Sequence, residues 1–223
     1  MLRRKVYYLA VSASLLVFVG IAAAQSVRLA KVGLGDSKSD VTRELGPGYS
    51  FETISVTNVP NLEWFEANNV DAHEWYTIDL FEGHVFGFEY HKNFDHPALV
   101  TNLVESITSK TWPLSGQGPS NSYLWQTDAS GKPLKGNPCW TDYWRGPTRV
   151  RQVGSTPQIK PYAESCGIFI AMWDAANRET TSSTVISVLD EKVMNKVVVA
   201  ARSGMQQQHE QQMKQAQKQG SPF

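Results

Sequence analysis

Five histidines, His73, His84, His91, His96 and His209, are the side chains best suited to hold a metal or to move a proton near neutral pH. Glu82 with His84, and Glu89 with His91, are spaced by two, which on a strand sets both members of a pair on one face. A hairpin bearing such pairs could gather zinc or copper ligands, with His84 and His91 the first candidates. No H-E-x-x-H or H-x-H run accompanies them, so the expectation is that no metal is bound. Asp71, Glu74 and Asp79 fall near Trp64 and Trp75, the composition of a glycosidase cleft and equally of a solvated sheet edge. There is no G-x-S-x-G nucleophile motif. Gly33-x-Gly35 precedes a helical pattern, but a third glycine and a lysine–hydroxyl pair are missing, and Asp36 would repel an anion. Capping is the reading that remains, and no catalytic residue and no cofactor are assigned.

The two cysteines, Cys139 and Cys166, take their meaning from the N-terminus. Met1 to Lys5 is a basic stretch, Val6 to Ala24 is almost wholly apolar, and the run ends in Ala22-Ala23-Ala24 before Gln25. Small residues three and one before the cut fit signal peptidase, so residues 1–24 read as a signal peptide cleaved after Ala24. An uncleaved anchor is the competing reading, since the run approaches the ~20 residues that span a bilayer. Gln25 stands where a lipoprotein would carry its acylated Cys. In an exported chain an even cysteine pair is expected to be a structural disulfide, and the C-x-x-C spacing of a redox pair is absent. Removing Arg3, Arg4 and Lys5 leaves 18 basic against 21 acidic side chains, a charge of about −3. So small an imbalance argues against nucleic acid and against an anionic membrane surface.

Seven Trp and eight Tyr are many for this length and serve cores and sheet faces before recognition. Trp140, Tyr143 and Trp144 lie in the Pro/Gly-rich stretch between the cysteines. They are the candidate recognition surface, with filling of the core beneath that stretch as the alternative.

Several elements must position these groups. Ser37 and Asp40 have capping-box spacing, and Gly46-Pro47 ends the short helix that they begin. Phe51–Thr57 alternates as a strand, whereas 60–71 has no clear period and reads as a loop with a helical turn near Trp64. Trp75–Phe81 and Val85–Tyr90 form a hairpin turning at Glu82-Gly83-His84, with Phe86, Phe88 and Tyr90 on one face. Asp95 and Pro97 begin a helix running through Ile107 and stopped by Trp112-Pro113. Tyr123–Thr127, Ile168–Trp173 and Thr184–Leu189 read as strands, the last two paired. Glu191–Arg202 is an amphipathic helix. Residues 204–223 form a Gln-rich tail, helical or disordered, too polar to fold alone. The order favours an α+β fold, with a mainly antiparallel sheet and short helices packed on one face, within a single exported globular domain over 25–203.

The stretch Lys31–Pro47, with Gly35, Ser37, Val41, Leu45 and Gly46 in comparable roles, resembles the opening of SmpA/OmlA-type modules of the β-lactamase-inhibitor-protein-like fold. That resemblance implies export and antiparallel strands after the helix. The assembly-factor members of that family are lipoproteins, and the acylated Cys is missing here. The later layout of Lys110-Thr111-Trp112-Pro113, Trp125, Cys139, Cys166-Gly167 and Asp190 is similar to exported bacterial proteins of unknown function, and implies export alone.

The expectation is therefore a periplasmic or secreted non-catalytic domain that binds a protein or cell-envelope component. It would have no nucleic-acid partner and no membrane span once the signal is removed. The alternatives are a metal-dependent or glycan-directed hydrolase of the envelope, and a structural envelope protein held by an uncleaved N-terminus.

Overall fold

The Ser37–Asp40 pair does begin a helix. In the computed structural model, which describes residues 27–55, 59–118, 122–139, 166–174 and 179–219, α1 runs Lys38–Leu45. The Ser37 hydroxyl accepts from the Asp40 N–H at 3.1 Å, and the Asp40 carboxylate accepts from the Ser37 N–H at 3.3 Å. Both halves of the capping box are thus filled, and Gly46 closes the helix at φ 79°. Val41 and Leu45 are its buried stripe.

Among the described residues two strands precede α1, and eight strands and two further helices follow it. β1 (Arg28–Leu29) and β2 (Val32–Gly33) make a small ribbon. The main sheet holds β3 (Ser50–Ser55), β4 (Leu62–Asn69), β5 (Glu74–Phe81), β6 (His84–Leu99), β7 (Gly116–Gly118), β8 (Ser122–Asp128), β9 (Cys166–Asp174) and β10 (Thr180–Asp190). Its order is β3-β4-β5-β6-β10-β9-β8-β7, antiparallel at every junction. Two consecutive meanders are therefore zipped together along β6 and β10. The α+β class and the antiparallel sheet are as the pattern implied.

Three expected boundaries move. The stretch read as a loop is β4. Leu62 packs into one apolar cluster and Phe65 and Ala67 into the other, so burial on both faces hides the alternation. The helix expected from Asp95 begins only at Val100 (α2, Val100–Lys110), because β6 runs on to Leu99. Pairing with β10 breaks between Asn93 and Ala98, which frees Pro97 from donating to the ladder. The hairpin turn is Glu82-Gly83, both residues at positive φ (53° and 81°), as a two-residue type I′ turn requires.

A bulge is a further change. The β5–β6 register jumps from Asp79↔Gly87 to Leu80↔Val85, leaving Phe86 unmatched. Phe86 consequently joins a different cluster from Phe88, and the expected one-sided set of Phe86, Phe88 and Tyr90 is divided.

The sheet has a core on each face. One gathers Phe65, Ile78, Phe88, Trp125, Ile170 and Val188 with the short helices α1 and α2 and the β1–β2 ribbon. The other gathers Phe86, Leu124, Phe169 and Leu189 with Met194, Val197, Val198 and Ala201 of α3 (Glu191–Gln219). Helix α3 is continuous through the Gln-rich residues to Gln219, and its side chains from Gln206 to Lys218 are exposed.

Candidate functional site

Register decides which polar side chains meet. On the α3 face of the first meander, Glu52 stands opposite Glu66, Glu66 opposite Thr77, Thr77 opposite Glu89, and Glu89 opposite Ser187. Because side chains alternate along each strand, these five share one face and one transverse row. The next row on one side pairs Trp64 with Asp79, and on the other Asn68, Trp75 and His91 follow one another. Carboxylates are thus flanked by tryptophans. Glu52 and Glu66 are exposed, Trp64 and Trp75 half-buried, and Asp79 buried.

Glu89 is the best-defined member of the row. One carboxylate oxygen accepts from the Ser187 hydroxyl at 3.0 Å, and the other lies 3.5 Å from His91 Nε2. The His91 ring stacks on Trp75 with centroids 4.6 Å apart and planes 12° apart. Strand spacing correctly set Glu89 and His91 on one face, and the stack locks the imidazole edge toward the carboxylate.

His84 goes elsewhere. It is exposed at the start of β6, its Nδ1 3.1 Å from the Glu82 carbonyl oxygen. Seven positions of strand separate it from His91, roughly 20 Å at ~3.3 Å per residue, so the two cannot share an ion. His73 lies 3.5 Å from Asp95, and His96 and His209 are exposed. Of the carboxylates expected near the tryptophans, Asp71 is in an exposed turn, Asp79 faces Trp64, and Glu74 points to the opposite face.

There Glu74 anchors a second cluster. Its oxygens accept from the hydroxyls of Tyr49 and Tyr90 (the latter at 2.8 Å) and lie 3.5 Å from Lys92 Nζ. Tyr76 packs between, 6.0 Å from the Tyr49 ring and 4.8 Å from the Tyr90 ring. Burial pushes the Glu74 carboxyl up, but the two phenols and the lysine outweigh it and hold it below the usual carboxylate range. Burial, with the neighbouring carboxylate, pushes the phenols of Tyr49, Tyr76 and Tyr90 above their ordinary range. Every acceptor here already has a donor, the chemistry of a structural lock.

A third cluster was not anticipated. Cys139 and Cys166 form the expected disulfide, with Cα atoms 6.0 Å apart, and both are buried. Glu191, the fully buried first residue of α3, brings a carboxylate oxygen within 4.8 Å of both sulfurs. Fully buried Gln126 accepts from the Cys139 N–H at 3.0 Å. Asp190 caps α3, accepting from the Lys192 and Val193 N–H groups at 2.9 and 3.1 Å. The cap fixes where Glu191 projects. The Asp-Glu pair after a β-rich run was the available signal. The proposed recognition residues Trp140, Tyr143 and Trp144, and the signal segment, lie outside the described residues.

Comparison with protein-family models, curated proteins and solved structures finds no match. Among the described residues no helix is long and apolar enough to cross a membrane.

Proposed function

We propose that the protein is an exported, non-catalytic domain, periplasmic or secreted, that binds a protein or cell-envelope component through the α3 face of its first meander. The observation that carries this is the row Glu52, Glu66 and Glu89 between Trp64 and Trp75. Two glutamates directly opposite on adjacent strands place like charges side by side, which favours a cationic group on that surface. Indole faces beside them favour the same charge through cation–π attraction and offer apolar area to the rest of the partner. The partner chemistry that fits is a basic segment with aromatic or aliphatic residues.

The signal-like N-terminus and the disulfide support the compartment. Mass spectrometry of the mature chain tests it: an N-terminus at Gln25 is expected, and retention of Met1 would favour the anchored alternative.

Calorimetry with a Lys/Phe-rich peptide tests the surface. Binding should weaken with salt and fall about tenfold, ~1.4 kcal/mol, in the E52Q/E66Q double variant. Equal binding of an oligoglutamate peptide, or no loss in the double variant, would count against it. A glycan-directed hydrolase is the second reading, favoured by buried Asp79 opposite Trp64. It predicts release of reducing ends from envelope polysaccharide that disappears in D79N.

A further inference from the structure

The two ends of the main sheet are finished differently. β7, one outermost strand, has three residues, two of them glycine, and is too short to template much pairing. β3, the other, has six, matched to β4 at every position without a bulge. Among the described residues β4 is its one strand partner, so alternate N–H and C=O groups of β3 point outward along a regular edge. Sheet edges are ordinarily blunted by lysine, proline, a bulge or shortness. The sequence Ser-Phe-Glu-Thr-Ile-Ser has none of these, and its one charge is Glu52.

Resting on the reading of the α3 face as a surface for a basic segment, we infer that this segment docks by adding an antiparallel strand to the outer edge of β3. Its basic residues lie on one face of the added strand and its β-branched or aromatic residues on the other. Antiparallel addition continues the pattern of every junction in the sheet.

The two faces of the edge set that alternation. On the α3 face Glu52 is exposed. A residue opposite it on the new ladder would have its Cβ about 4.5–5.5 Å away, where an opposite charge is favourable and a like charge is not. On the other face Phe51 is 39% exposed, its ring 6.3 Å from that of Phe65. A β-branched or aromatic residue opposite Phe51 would cover it. Along that same face Lys38 and Glu63 already pair with each other, and Lys38 Nζ also donates to the Thr53 hydroxyl at 2.9 Å. An incoming lysine therefore gains on the Glu52 face alone. Main-chain hydrogen bonds supply the affinity of such an addition, and alternate side chains its specificity.

The probe is a peptide of alternating Lys and Val, offered to the full chain beside a peptide of equal composition with its lysines in one block. In calorimetry the alternating peptide should bind at least about tenfold more tightly than the blocked one, and at least about tenfold more weakly to E52K than to the wild type. Successive N–H groups of a strand point to opposite edges, so methylating the Lys backbone nitrogens and methylating the Val ones alter different sides of the peptide. One pattern should abolish binding and the other should leave it nearly unchanged. In the complex, amide exchange should slow at alternate residues of β3. If neither peptide binds, the basic-partner reading and strand addition fall together. Binding that ignores residue order, or that responds equally to both methylation patterns, leaves that reading standing and overturns strand addition. Sedimentation of the free chain should show a monomer. A dimer whose β3 amides are already protected makes a second copy the occupant of the edge and overturns the assignment.

Discussion

The two faces of the sheet use the same residue types for opposite ends. On the α1/α2 face, Glu74 is saturated by Tyr49, Tyr90 and Lys92, with its carboxyl held low. On the α3 face, Glu52 and Glu66 confront each other across adjacent strands between two indoles. A carboxylate among aromatics is therefore a lock or a landing site according to what the strand register sets across from it. Composition does not separate the two cases; register does.

The largest test of this contrast is to remove packing from each side. Phe88→Ala hollows the α1/α2 core and should cost about 3–5 kcal/mol in thermal unfolding. Phe86→Ala, one bulge away, should cost a similar amount through the α3 core. If Phe86→Ala proves nearly silent, the α3 face is not an independent core.

Next comes the staple. Cys139→Ser with Cys166→Ser releases a loop closed across 27 positions and should lower stability by about 3–4 kcal/mol in the chain-entropy model, read by urea denaturation.

Smaller again is the lock. Glu74→Gln should cost about 1–3 kcal/mol, as for hydrogen bonds to a charged group. Because the folded carboxyl sits below its unfolded value, its contribution is complete above the usual carboxylate range and lost as pH falls through the lowered value. Wild-type stability should therefore decline toward acid more steeply than that of Glu74→Gln, and parallel acid profiles would remove Glu74 from its role.

The smallest effect has the opposite sign. Glu52→Gln removes like-charge repulsion and should raise stability by about a few tenths of a kcal/mol, while weakening a cationic partner. A loss of stability instead would make Glu52 a structural residue like Glu74.

Much of this was legible in the sequence, and the failures share a cause. Ser37, Asp40 and Gly46 marked α1 because capping is local. The Glu82-Gly83 turn was legible because few residues accept positive φ. Strand β4 was not, because Leu62 and Phe65 bury on opposite faces and break the alternation that announces a strand. Pro97 suggested a helix start, yet the chain accommodates it in the interrupted pairing of β6. The pairing of Glu89 with His91 was visible as a spacing of two. Glu52 against Glu66, or Glu191 against the disulfide, requires knowing which strands are neighbours, and that is long-range information.

Helix α3 carries a consequence for how the chain comes apart. Its first turns are held by Met194, Val197, Val198 and Ala201, which sink into the second core. The residues from Gln206 to Lys218 extend roughly 20 Å further with exposed side chains, at ~1.5 Å per residue. A free helix of that length is marginal in water because nucleation is unfavourable, but here the docked turns are a permanent nucleus and only propagation remains. The helix should consequently melt as a zipper from one end, with amide exchange slowest near Ala201 and quickening residue by residue toward Gln219. The C-terminus becomes a fuse whose burning length reports how firmly the core holds its root.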